Sequence, residues 1–443
     1  MSTNGRIIQT RLLTIILVLG CGLTGRAYEF PGGTGEPNDP YQIATVEDLL
    51  AVGSSAELLT KHYVLVNDFD LDPNLPGGRV FDDALIGRLA LDSVTGEWLT
   101  PFSGVLDGRG HAIRNLYISH EPGIAVGLIG ELSGLVKDLN LEGVRIGGSA
   151  LAMGAMAGHV SGGTILRCSA TGQVSGDTGV GGMVGHLSNG TLADCRAEVQ
   201  ISGVRLVGGL FGSSHSGTVV RCEAQGEVRG DQRVGGLGGD LFQGCIMESS
   251  AGGVVVGIDY VGGLIGYASA MGCAILRCAA TCEVVAEQAA GGLIGNASLV
   301  SRGPIMDCYT RGSVTGSPAG GLVGAVVGAQ VLNSYAACEV IPLTPGDGTA
   351  AVAGGLFGEA GASSRILVDG CFWDTGGSGV GLSTGQGVQY IGTGLTTEQM
   401  QQKANFEQAG WDLDSVWAIA EGEYPVLQWE SAADAAQEGT DGK

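Results

Sequence analysis

Large side chains, lysine and uninterrupted apolar runs are all scarce in this chain. Aromatic residues make up 5% of it and charged residues 15%, which excludes a conventional globular core filled by large side chains. Bases number 22 against 45 acids, for a formal charge of −23, and that surface would repel nucleic acid and anionic membrane, neither of which is expected as a partner. Glycine interrupts every apolar stretch after the first thirty residues, so none is long enough to span a membrane. None of the six histidines forms a His-Glu-x-x-His pair, which removes a zinc-peptidase helix.

What is abundant is glycine, 81 of 443 residues, without the Gly-X-Y period of collagen. It is organised by a recurring phrase, Gly-Leu-(aliphatic or aromatic)-Gly. The phrase stands as Gly127-Leu128-Ile129-Gly130 and, degraded, as Gly154-Ala155-Met156-Ala157-Gly158, then ends at Gly185, Gly212, Gly239, Gly266, Gly295, Gly324 and Gly358. Successive last glycines lie 28, 27, 27, 27, 27, 29, 29 and 34 residues apart. A fixed period of this size marks a stack of like units, none able to bury its apolar face alone.

Aligning the units on the last glycine exposes columns. One reads Cys168, Cys195, Cys222, Ser249, Cys278, Cys308, Ser334 and Cys371; the column before it reads Arg167, Asp194, Arg221, Glu248, Arg277, Asp307 and Asn333. Alternating charge suits an outward ladder whose rungs touch, and small residues suit an inward one. No apolar 3.6 period survives, and no Leu-x-x-Leu-x-Leu pattern appears. Each unit reads as three short β segments with glycine turns, one coil of a parallel β-helix. In-register cysteines point the same way, so mostly unpaired buried thiols are expected, with Cys245–Cys273 the better-placed pair and Cys282 and Cys338 two coils apart.

The ends differ. Arg6 and Arg11, the apolar run from Leu12 to Gly20 and Gly25-Arg26-Ala27 read as an export signal cleaved after Ala27. Lipid modification at Cys21 is the alternative, with Leu19 fitting that site less well. Residues 28–100 read as an N-terminal capping region, with a helix from Thr45 to about Leu59 behind a capping box and an alternating strand from Tyr63 to Asp72. The repeats occupy 101–375 and a C-terminal cap 376–430, with a short helix opening at Thr396 and the aromatics Trp411 to Trp429 closing the open end. Residues 431–443 read as a disordered tail.

These residues resemble the GLUG motif of secreted bacterial surface proteins, including accessory regions of immunoglobulin-A-specific metallopeptidases. The segments Gly32 to Ile43, Phe102 to His111 and Cys371-Phe372-Trp373-Asp374-Thr375 fit the same family. The resemblance implies an all-β, right-handed, pectin-lyase-like parallel β-helix with coils of about 27 residues and short helical caps. It carries no general catalytic residues to transfer.

Chemistry is sparse. Asp68, Asp70 and Asp72 share a strand face, but Pro73 and Arg79 stand where an EF-hand needs glycine and glutamate, so calcium is the one cofactor left open. His159 and His186 follow the last glycine of adjacent repeats in a column with Glu131, Ser213, Asp240, Tyr267, Asn296, Ala325 and Glu359, a mixture that reads as exposed turn positions. Asp107, Arg109 and His111 read as a structural turn. Tyr309, Tyr335 and Phe372 rise on three successive coils and form the candidate sugar-stacking strip. The sequence therefore points to a secreted or cell-surface, non-catalytic solenoid for adhesion, carbohydrate binding or scaffolding. Its expected partners are extracellular polysaccharide or a cell-envelope protein; the alternative is a polysaccharide lyase or hydrolase.

Overall fold

A computed structural model describes residues 28–88, 100–269, 272, 274–298, 303–344, 350–387 and 392–430. The export signal, the tail and Cys273 lie outside the described residues. The chain is a parallel β-solenoid. One coil runs Val184–Ser188, Thr191–Ala193, Arg196–Ser202 and Arg205–Gly208, four segments rather than the three expected. Each pairs in parallel register with the next coil: Val184 with Phe211, Thr191 with Thr218, Ala197 with Ala224 and Val207 with Val234. The first two segments lie in one sheet and the last two in another.

The Gly-Gly-Leu-x-Gly phrase makes the corner between the sheets. A Cβ at Gly182, Gly209, Gly236, Gly263, Gly292 or Gly321 would fall inside contact distance of the next coil's glycine carbonyl oxygen. At Gly185, Gly212, Gly239 and Gly266 it would strike the backbone of the strand across the corner in the preceding coil. Glycine is thus required by close approach rather than by turn angle. The two residues between, such as Leu210 and Phe211 or Leu264 and Ile265, both point inward and are fully buried.

A second corner precedes the cysteine column, and here backbone angle decides. Asp138, Arg167, Asp194, Arg221, Glu248, Arg277, Asp307 and Asn333 all take left-handed angles, φ between 45° and 54°. The side chains pair as the alternation implies, each arginine with the acid one coil earlier: Arg167 with Asp138 at 2.6 Å, Arg221 with Asp194 at 2.6 Å, and Arg277 with Glu248 at 3.3 Å. The next residue bridges the break. Cys195, Cys278 and Cys308 donate Sγ–H to the carbonyls of Ala193, Leu276 and Met306 at 3.2, 3.2 and 3.3 Å, and Ser249 and Ser334 do the same with Oγ–H. The column is buried, as expected, and each of these side chains gives a second hydrogen bond to a carbonyl that already accepts a backbone N–H from the preceding coil.

The N-terminal helix is shorter than expected. The Thr45–Asp48 capping box forms, but the helix Val46–Val52 stops at Gly53, which backs onto the Leu85 carbonyl. The expected strand from Tyr63 to Asp72 is broken into His62–Leu65 and Phe69–Asp70. Parallel stacking begins at Tyr41, in register with Tyr63, itself in register with Leu106.

The C-terminal aromatics do not close the end of the stack. From the capping box of Thr396 and Gln399 onward, the chain turns back along the solenoid's side. Trp411 Nε1 donates to Gly370 O at 2.8 Å, Trp417 Nε1 to Asp307 Oδ1 at 3.3 Å, and Trp429 Nε1 to Arg277 O at 2.9 Å. This strap crosses several coils.

Candidate functional site

The strap covers the expected sugar-stacking strip. Tyr309, Tyr335 and Phe372 do share a ladder, and the two tyrosine rings stack at 5.3 Å with 6° between planes. They are only 4%, 0% and 6% exposed, packed with Trp411, Trp417, Phe406 and Leu427 in a second apolar cluster. Tyr335 Oη donates to Pro425 O at 2.6 Å and accepts from Arg311, and Tyr309 Oη donates to Glu430 at 2.8 Å. Burial raises both tyrosine pKa values. These faces and hydroxyls are spent on the strap, so the strip is a docking seat within the fold.

The outward face that stays open lies beside the glycine corner. Its floor is the column that begins Glu131, His159, His186, Ser213, Asp240, Tyr267 and Asn296, in unbroken register. These are strand positions, half-buried or buried, and not the exposed turns the sequence suggested. The left-handed residues Leu206, Arg233 and Tyr260 stand on the adjoining edge, and the side chains of Arg233 and Tyr260 lie against Tyr267 on the floor. Farther along the same groove a cavity of about 330 Å³ is lined by Tyr260, Asn296, Pro318 and Glu359.

Polar side chains link along the floor. Ser161 Oγ donates to Glu131 at 2.8 Å; His159 and His186 rings lie 5.2 Å apart, and each bonds a serine, Ser188 at 3.2 Å and Ser213 at 2.5 Å. Desolvation lowers both histidine pKa values, that of His186 to about 4 with His159 and His215 adding to the fall. Beyond them Arg233 pairs with Asp240 and lies 4.4 Å over the Tyr267 ring, with Tyr260 at 5.6 Å from Tyr267. Burial raises the pKa of Asp240 and of Asp259, and Arg233 opposes the rise at both.

On the groove's far lip the ladder two residues along reads Ser188, His215, Phe242 and Ser269. His215 and Phe242 rings are 4.7 Å apart, with Phe242 41% exposed. Sequence reasoning passed over His215, Phe242, Arg233 and Tyr260; reading the column two places beyond His186 exposes the first two. The angle that seats Arg233 and Tyr260 leaves no sequence mark.

Elsewhere the candidates separate. Asp68 bonds His111 at 2.9 Å and Arg114 at 3.1 Å, Asp70 accepts from Asn115 and Asp72 from Asn74. Asp107 takes the Arg109 amide and pairs with Lys137 at 2.7 Å, in the turn expected of it. No three His, Cys, Asp or Glu side chains among the described residues converge to hold a metal ion. Cys245 is a half-buried free thiol, while Cys282 and Cys338 are buried and pushed by burial up to about 12 and about 11. No described helix is long and apolar enough to cross a membrane.

No family model matches the chain. Halomucin of Haloquadratum walsbyi is 34% identical over 163 residues, 36% of this chain and 2% of that protein. A protein of Evansella cellulosilytica, provisionally named a Gly-rich membrane protein, is 32% identical over 130 residues, 28% of this chain and 14% of its own length. The chain thus spans a small part of these curated relatives. A crystal structure from Bacteroides ovatus, provisionally titled an immunoglobulin A1 protease, aligns over 90% of this chain and 95% of its own. Its TM-score is 0.39 at 16% identity, too loose a likeness to carry an argument.

Proposed function

We propose that this chain is an exported, non-catalytic β-solenoid that acts at the cell surface as an adhesion module, taking extracellular polysaccharide along the glycine-corner groove. The observation that carries the reading is the exposed His215–Phe242 ring pair beside a hydrogen-bonding floor, with the half-buried Tyr260 and Tyr267 rings farther along. Ring faces next to polar groups suit sugars, which are apolar on one face and hydroxylated at the rim. The GLUG resemblance, the signal-like N-terminus and a relative named as a membrane protein support the surface setting. Along the floor, Glu131 and Asp240 stand four rungs apart, roughly 19 Å, whereas glycoside hydrolysis brings two carboxyl groups within about 10 Å.

The test is glycan-array retention of the full chain against the double variant His215→Ala/Phe242→Ala. Loss of retention with an unchanged melting curve supports the reading; equal retention sinks the groove as the site. One observation favours a second, polysaccharide-cleaving reading: Arg233 acts on two carboxyls, Asp240 and Asp259, whose pKa values burial raises. Release of new reducing or unsaturated ends, abolished in Asp240→Asn, would establish it.

A further inference from the structure

Another cavity lies on the other sheet. It measures about 730 Å³ and opens between the loop carrying Asp72, Asn74 and Val80 and an outward ladder of the early coils. That ladder is Tyr117, Arg145, Gln173 and Gln200, in direct register. Its length is three rung intervals, roughly 14 Å.

We propose that this cleft binds a short stretch of anionic glycan, with Arg145 holding the carboxylate or sulfate group. The inference rests on the carbohydrate-binding reading above and adds a separate site and a ligand class. Arg145 makes no ion pair among the described residues, although acids outnumber bases two to one in the chain. Its neighbours Arg114, Arg167 and Arg196 are each tied to a carboxylate, at 2.7, 2.6 and 2.7 Å. Of the two acids that line the cleft, Glu198 pairs with Arg196 at 2.6 Å, while Asp72 accepts at 2.7 Å from Asn74, also in the lining, on the side away from the Arg145 ladder.

The rest of the lining suits a hydroxylated ligand. Tyr117 is 37% exposed and offers a ring at one end of the ladder. Gln173 and Gln200 both line the cleft, and Gln173 donates to Gln200 at 2.9 Å, which leaves Gln173 Oε1 and Gln200 Nε2 as an acceptor and a donor outside that bond. A planar amide pair of this kind can bond adjacent hydroxyls, while guanidinium takes an oxyanion in a two-point grip. The chain's net charge of −23 does not forbid an anionic ligand. At physiological salt the Debye length is about 8 Å, so distant acids are screened while Arg145 acts in contact.

The experiment is affinity electrophoresis of the full chain in gels of polygalacturonate, dextran sulfate and unmodified dextran. Wild type, Arg145→Gln, Tyr117→Ala and Phe242→Ala are compared after checking equal melting curves. All three substituted side chains are partly exposed, so the folds should survive. The expected result is retardation by polygalacturonate or dextran sulfate above that by dextran, weakened about tenfold or more in Arg145→Gln and Tyr117→Ala. Phe242→Ala should leave that preference intact. Retardation in only one charged gel identifies which anion Arg145 takes. If Arg145→Gln runs like wild type in both charged gels, the cleft inference is overturned, while dextran retention lost in Phe242→Ala would still uphold the groove. If wild type is retarded by none of the three gels and by no array glycan, both readings fall.

Discussion

Two sets of outward aromatics rise along the same solenoid and meet opposite fates. Tyr309, Tyr335 and Phe372 stack on successive coils and are covered, whereas His215, Phe242, Tyr260 and Tyr267 face a groove that the described chain leaves open. Ladder geometry is the same in both, since coil stacking sets it. What differs is whether a non-repeating part of the chain has claimed the face. Aromatic periodicity therefore marks a surface fit for flat ligands, and the chain supplies its own ligand at one of them.

The covered face depends most on Trp417, which is fully buried between strap and ladder. Trp417→Ala should cost about 3–5 kcal/mol, read as an early melting phase, and should turn Tyr309 and Tyr335 accessible to solvent quenchers. The open side has its own vulnerability to acid. His186 carries a folded-state pKa lowered from 6.5 to about 4, so its contribution is intact above the unfolded value. It is lost as pH falls from 6.5 towards 4, where the unfolded chain binds a proton that the folded one refuses. The loss should reach on the order of 3 kcal/mol, and His186→Gln should flatten that limb in a pH series of urea melts. Tyr335→Phe removes the hydroxyl that joins Arg311 to Pro425, for an expected loss of about 1–3 kcal/mol by the same melts. Phe242→Ala should shift stability by no more than about 0.5 kcal/mol while lowering glycan retention, and a larger shift would place Phe242 with the covered set.

How far the sequence could be read follows the same division. The glycine phrase and the cysteine and arginine columns were legible because each coil meets the same environment, so each position is restated many times. The fourth segment, such as Arg205–Gly208 or Gln232–Gly235, was not told apart because it runs straight into the glycine phrase, although Gly203 and Gly230 stand in the gap that parts it from the third. The hydrogen bonds of the cysteines were hidden as well; a thiol that adds a second bond to a carbonyl looks like any small apolar residue. Least legible was the strap. It occurs once, and its partners lie far back in the chain, as with Trp429 and the Arg277 carbonyl, 152 residues apart. For that reason the aromatic column was identified correctly as a ladder and wrongly as a surface.

The strap has a consequence for how this molecule can change over generations. Between Gly158 and Gly239 the coils are nearly interchangeable, and duplicating one would simply lengthen the rod. Between Arg277 and Gly370 the strap grips four fixed points: the Arg277 carbonyl, Asp307, the Arg311–Tyr335 pair and the Gly370 carbonyl. One additional coil there would push the far anchors apart by about 4.8 Å and part the strap from them. The strap counts coils: it sets the copy number at one end of a repeat whose other end is free to grow.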